Sequence, residues 1–162
     1  MNVVLHQPEM PANTGNIGRT CAATGTKLHL ICPLGFRLDE KSLKRAGLDY
    51  WEDLDVTLYD NFEDFLAKNP GAKIYMATTK AEKIYTDMEY EPDCFLMFGK
   101  ESAGIPEEIL VEYKDTAIRI PMNEEIRSLN LSNSVAIVLY EALRQQAFAG
   151  MEKKGSLHRL HW

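Results

Sequence analysis

Ser128-Leu129-Asn130-Leu131-Ser132-Asn133-Ser134 decides how the chain reads, because this polar turn opens the most regular apolar run in the sequence. Leu131, Val135, Val138, Leu139, Ala142 and Leu143 recur at helical spacing, which predicts a helix over 132–149 with the Ser132 hydroxyl as its N-cap. Tyr140 and Arg144 lie four apart on another side, with Ile137 between the stripes. That side suits a partner subunit, a substrate or solvent alone. Toward the N-terminus, β-branched and aliphatic runs at 2–6, 27–32, 55–59, 73–78, 94–98 and 116–120 read as strands. Helical patterns at 14–24, 39–46, 62–68 and 107–113 fall between them. This alternation predicts an α/β fold, a mostly parallel sheet with helices on both faces. Residues 82–92 are strand-poor and read as a surface loop.

The 162 residues, 45% hydrophobic, suit one compact domain with a core that needs no staples. Cys21, Cys32 and Cys94 are an odd set without metal-ligand spacing and read as reduced thiols, so neither disulfides nor a metal is expected. The start Met1-Asn2-Val3-Val4-Leu5-His6 has no basic leader, and no segment nears the roughly 20 apolar residues of a membrane span. A soluble, cytoplasmic protein without membrane contact is expected. The formal charge of -6 argues against a nucleic-acid partner, since phosphate contacts favour a basic footprint. Local basic runs do exist, at Lys41, Lys44 and Arg45 and at Lys153, Lys154, His158 and Arg159. Each also reads as a solvated surface.

Three segments lie where chemistry collects in open α/β sheets, beyond the carboxyl ends of strands. The first, Gln7-Pro8-Glu9-Met10-Pro11-Ala12-Asn13-Thr14-Gly15-Asn16-Ile17-Gly18-Arg19, is stiffened by prolines, with Asn13 or Thr14 as the expected helix cap. Its N–H groups and Arg19 suit a phosphate, although a capped helix with a surface arginine accounts for it equally well. The second, Phe98-Gly99-Lys100-Glu101-Ser102-Ala103-Gly104-Ile105-Pro106, is no P-loop, because Ile105-Pro106 stands where Lys-Ser or Lys-Thr must follow the second glycine. G-x-G-x-x-G after a strand is also missing. What is left is a glycine turn open to close backbone approach, with Glu101 as a candidate anchor or a mere exposed acid. The third runs from Ile118 through Pro121, Arg127 and Ser128 to Leu131 and could cup a flat heterocycle between aliphatic side chains while main-chain groups read its edge. A ligand-free connection fits it too.

Taken in order, these blocks resemble the SPOUT class of RNA methyltransferases, specifically the small members that methylate the ribose of the tRNA wobble nucleotide. The likeness runs from Met1 to about Gly150 through Asn13-Thr14-Gly15-Asn16-Ile17-Gly18-Arg19, Arg45-Ala46-Gly47-Leu48-Asp49-Tyr50, Phe98-Gly99-Lys100-Glu101 and Ser128-Leu129-Asn130-Leu131-Ser132-Asn133. It implies a single domain over 1–150 whose C-terminal part is a deep trefoil knot. It also implies an obligate homodimer and S-adenosylmethionine as methyl donor. Ala77, Thr78, Gly99, Ile120, Ser128 and Leu129 would hold that donor, largely through backbone. Arg19 takes the family's catalytic arginine position, with Asn13 and Asn133 ordering the loop, Glu101 tying the donor loop to the partner subunit and Tyr140 facing substrate. The implied substrate is the position-34 pyrimidine in the anticodon stem-loop of tRNA, in leucine isoacceptors, gripped by Lys41, Lys44, Arg45, Arg127 and Arg144. Lys100 departs from the proline or arginine of other members. The tail over 151–162 has no counterpart and is expected to fray or to pack locally through Trp162.

Overall fold

The computed structural model describes residues 1–38, 51 and 54–162. The expected helix at 39–46, the Arg45 to Tyr50 motif, and Lys41, Lys44 and Arg45 lie outside them. The strands are β1 (Asn2–His6), β2 (Lys27–Ile31), β3 (Val56–Tyr59), β4 (Ile74–Ala77), β5 (Phe95–Phe98) and β6 (Ala117–Ile118). Among the described residues the α-helices are α1 (Pro11–Thr24), α2 (Phe62–Lys68), α3 (Glu107–Glu112) and α4 (Leu131–Gln145). The six strands form one sheet in the order β3-β2-β1-β5-β4-β6, every pair parallel. Strand β1 sits centrally, with Leu5 opposite Leu30 on one side and Phe98 on the other.

Both faces of the sheet are covered at its centre, so the inner strands β1, β4 and β5 bury successive residues instead of alternating buried with exposed ones. Val3 and Leu5 of β1 join Leu30, Leu96 and Phe98 under Ile17 and Cys21 of α1 and Val135, Val138, Leu139 and Ala142 of α4. Val4, pointing the other way, joins Ile31, Met76 and Met97 under Phe62 and Phe65 of α2 and Leu110 of α3. Each fully buried side chain of this size contributes about 1.5–3 kcal/mol of transfer free energy. The periodic stripe of α4 therefore buries against the same sheet face as α1, and the two helices begin side by side.

Helix starts depart from the sequence reading in an instructive way. Helix α1 begins at Pro11, with Met10 as N-cap and no side-chain cap of its own, so Asn13 and Thr14 lie inside the helix and do not cap it. A proline at the first helical position has no N–H to satisfy and already holds the helical φ. Thr14 is buried, and its hydroxyl has no hydrogen-bond partner among the described residues. Helix α4 is capped by Asn130, not Ser132, its side chain accepting from the N–H groups of Ser132 at 2.9 Å and Asn133 at 3.4 Å. Helix α4 also stops at Gln145, short of 149, because Ala147 and Phe148 turn left-handed with φ of 53° and 51°.

Strand β6 is only two residues long, since Arg119 leaves the sheet to pair with the segment at 83–85. That segment belongs to the expected surface loop, yet Tyr90 within it is 3% exposed and stacks edge-on to Tyr75 at 4.8 Å. In the tail Trp162 is 95% exposed, so its indole packs on nothing. Among the described residues no helix is long and apolar enough to cross a membrane.

Candidate functional site

A cavity of about 520 Å³ opens at the carboxyl ends of β4, β5 and β6, beside the first turns of α1 and α4. All six residues expected to hold a donor line it: Ala77 and Thr78 after β4, Gly99 after β5, Ile120 after β6, and Ser128 and Leu129 ahead of α4. Asn13 and Glu101 line it as well. The sequence reading gave no individual role to Lys80, Met122, Ser134 or Asn130, which also line it. For Asn130 a signal existed, an asparagine directly before a periodic run.

The Gly99 position is set by close approach. A Cβ there would lie inside the backbone of Gly104 and Ile105, so no other residue fits without moving main chain. The turn closes on itself through an antiparallel bridge of Lys100 with Gly104, whose N–H donates to the Lys100 carbonyl at 2.8 Å while Gly104 holds φ 72°. The result is a short tongue of main chain along the cavity wall.

A polar relay ties the three sequence blocks together. Glu101 accepts from the Glu9 N–H at 2.8 Å with one oxygen, and from the Met10 N–H and Asn13 Nδ2 at 3.1 Å each with the other. A carboxylate only accepts, so Asn13 must turn its amide nitrogen toward Glu101 and its oxygen toward Asn130, whose Nδ2 donates to it at 3.1 Å. Glu101 thereby supplies the acceptor that the start of α1 lacks, favoured there by the helix dipole. Both its oxygens accept bonds within its own chain. In return Glu9 accepts from the Ser102 N–H at 2.9 Å and hydroxyl at 2.8 Å, and these bonds hold its carboxyl below the usual range.

Arg19, Asn133 and Tyr140 do not line the cavity. Arg19 is exposed on α1, six residues beyond Asn13 and so about 9 Å further along the axis. Asn133 is exposed in the first turn of α4, and Tyr140 is 43% exposed further along it. Of the expected RNA-gripping residues, Arg127 reaches the cavity rim, whereas Arg144 is held in a two-bond pair by Glu141 at 2.8 and 2.9 Å. Cys21 and Cys94 have thiols pushed up to about 12 by burial, so neither is a nucleophile. Among the described residues no cluster of His, Cys, Asp or Glu could hold a metal ion.

A six-stranded parallel sheet with a cavity beyond the carboxyl ends of its strands is the arrangement in which open α/β enzymes take their ligands. Residues 1–140 match the SpoU rRNA methylase family, and the chain belongs to it; it is an RNA methyltransferase. Among its relatives is a tRNA (cytidine(34)-2′-O)-methyltransferase of Methylovorus glucosotrophus, 47% identical over 150 residues that cover 92% of this chain and 97% of that protein. A solved structure described in terms of 2′-OH methylation of C/U34 on tRNA superposes with a TM-score of 0.85 at 45% identity, covering 90% of this chain and 95% of the other. An rRNA methyltransferase of Sinorhizobium meliloti, solved with AdoMet bound, superposes with a TM-score of 0.78 at 26% identity, covering 88% of this chain and 55% of the other.

Proposed function

We propose that the chain transfers the methyl group of S-adenosylmethionine to the ribose 2′-hydroxyl of the pyrimidine at position 34 of tRNA, with leucine isoacceptors as substrates. The observation that carries this reading is the cavity at the strand tips. Its aliphatic Ile118, Ile120, Leu129 and Leu131 suit a flat heterocycle, the hydroxyls of Thr78, Ser128 and Ser134 suit a polar edge, and Gly99 lets the 99–104 turn close tightly on itself along the wall. The names of the Methylovorus relative and of the C/U34 structure support the substrate. No metal is needed, because the donor itself supplies an electrophilic methyl on a positively charged sulfur.

The chain's own residues then have three tasks. The cavity walls fix the donor so that the 2′-oxygen meets the methyl in line with the breaking sulfur–carbon bond, an alignment worth several orders of magnitude in rate. The new bond is oxygen to carbon, the bond lost is carbon to sulfur, and the hydroxyl proton leaves to solvent or a nearby acceptor. Arg19, exposed on α1 where a polynucleotide can dock, orients a phosphate and stabilises the developing alkoxide. A guanidinium has no acceptor to offer, so it serves as an electrostatic anchor instead of a base. Asn13 and Glu101 hold the donor tongue against α1, Asn133 supports the first turn of α4, and Tyr140 presents its ring to substrate. The same reading takes residues 1–150 as one knotted domain working as a homodimer in the cytoplasm. The exposed Met10 and Ile126 support an apolar contact between copies.

Incubating the protein with bulk tRNA and methyl-labelled S-adenosylmethionine, then digesting to nucleosides, tests this directly. Label on the ribose of an anticodon pyrimidine is expected, and label on a base or on no tRNA at all refutes it. Arg19→Lys, which keeps charge but loses the planar fork, is expected to lower turnover at least tenfold; wild-type turnover would remove Arg19 from the mechanism.

A further inference from the structure

We propose that Glu9 and Ser102 are positioning residues for the methyl donor, clasping the 99–104 tongue to the start of α1 so that its main chain is set before the donor arrives. This inference rests on the donor reading above. The tongue follows β5 and the Pro8 to Met10 segment follows β1, and these strands are adjacent and parallel, with Leu5 opposite Phe98. Two loops thus leave the sheet side by side, and they exchange bonds crosswise. Glu101 takes the N–H groups of Glu9 and Met10, while Glu9 takes the N–H and hydroxyl of Ser102. Each acid sits on one loop and binds main chain of the other, so neither loop can shift without breaking bonds at both ends.

The tongue needs such an external hold. Its internal bridge links only Lys100 to Gly104, and it is hinged on glycines at both ends, Gly99 and Gly104. Ser102, at its tip and on the cavity wall, is exposed, so packing does not fix it. The carboxyl of Glu9, held below the usual range by Ser102, stays an acceptor throughout the neutral range. The clasp matters for binding because a tongue already fixed costs the donor less ordering on arrival.

The test uses the full chain and its Glu9→Ala, Ser102→Ala and double variants. Calorimetric titration with S-adenosylmethionine reads donor affinity. Amide hydrogen exchange of the donor-free protein reads the tongue itself. Glu9→Ala is expected to weaken the donor by about fivefold or more, with a raised KM for donor and an unchanged KM for tRNA. The double variant is expected to match Glu9→Ala, because the two groups act as one contact. Exchange over 100–104 should quicken in Glu9→Ala without donor present, and Glu9→Gln, which keeps one acceptor, should recover part of both effects. Unchanged exchange over the tongue, equal rises in both KM values, or independent additive losses in the double variant would each overturn the clasp. A wild-type protein that ignores S-adenosylmethionine would instead overturn the donor reading, and the exchange data would still decide the clasp.

Discussion

Replacing Asn130 separates the two jobs that its one side chain performs. In Asn130→Ala the cap of α4 is lost, at a cost of about 1 kcal/mol. The Asn13 oxygen, on a residue 5% exposed, also loses its donor, at about 1–3 kcal/mol. Because both losses fall on one side chain, the total is about 2–3 kcal/mol and not their full sum. For a chain of this length each kcal/mol moves the thermal midpoint by about 2–4 °C, so a fall of about 4–12 °C is expected. Asn130→Asp is the discriminating variant: aspartate caps as well as asparagine but cannot donate to Asn13, and it brings a negative charge toward Glu101. It should therefore keep at least half of the alanine variant's loss and bind S-adenosylmethionine more weakly than wild type. Circular dichroism melts at fixed protein concentration and neutral pH, paired with donor titration, measure both. An Asn130→Asp protein that melts and binds as wild type does would show that Asn130 is only a cap and that the relay from Glu101 through Asn13 carries nothing.

Further outcomes follow from other parts of the molecule. His29 is buried between the Tyr59 hydroxyl at 2.8 Å and the Asn2 amide oxygen at 3.1 Å, and burial pulls its pKa from 6.5 to about 4. The folded pKa is depressed for a group that charges on protonation, so stability is full above 6.5 and falls as pH drops toward 4, by about 2–3 kcal/mol for this group. Buried His6 is lowered in the same direction, so His29→Gln should flatten, without abolishing, the slope of denaturant stability between pH 6.5 and about 4.5; an unaltered slope would refute the assignment. Gly99→Ala forces the main chain of the 99–104 turn apart and should weaken donor binding at least tenfold, about 1.4 kcal/mol, and calorimetry at wild-type affinity would show that this turn does not shape the donor site. Leu157, Leu160 and Trp162 are 38%, 72% and 95% exposed, so deleting 152–162 should leave the melting midpoint and labelled methyl transfer within about twofold of wild type.

What the sequence made legible was local. Strand 2–6 and helix 62–68 match the structure at both ends, because an unbroken apolar run and a compact helical pattern carry their own boundaries. The glycine turn after β5 was readable as open to close backbone approach or as an ordinary strand-to-helix turn, and the close approach of Gly104 and Ile105 to Gly99 decides between them. The start of α1 was missed by three residues, as its acceptor comes from Glu101, some ninety positions downstream, and no window around Pro11 contains that carboxylate. Tyr90 was placed on the surface because its partner Tyr75 lies in β4, fifteen positions upstream and outside the loop's own pattern. The bonds between Glu9 and Ser102 were equally hidden, two ordinary polar residues until neighbouring strands bring their loops together.

The bond from Asn130 to Asn13 joins residues 117 apart in the chain. During synthesis at the ribosome the amino-terminal strands and α1 emerge long before their partner is translated, so the cavity at the strand tips stays open on one side until α4 clears the exit tunnel. A complete cavity thus waits on α4, and a truncated product released before residue 131 would carry an unclosed sheet face exposed to chaperones.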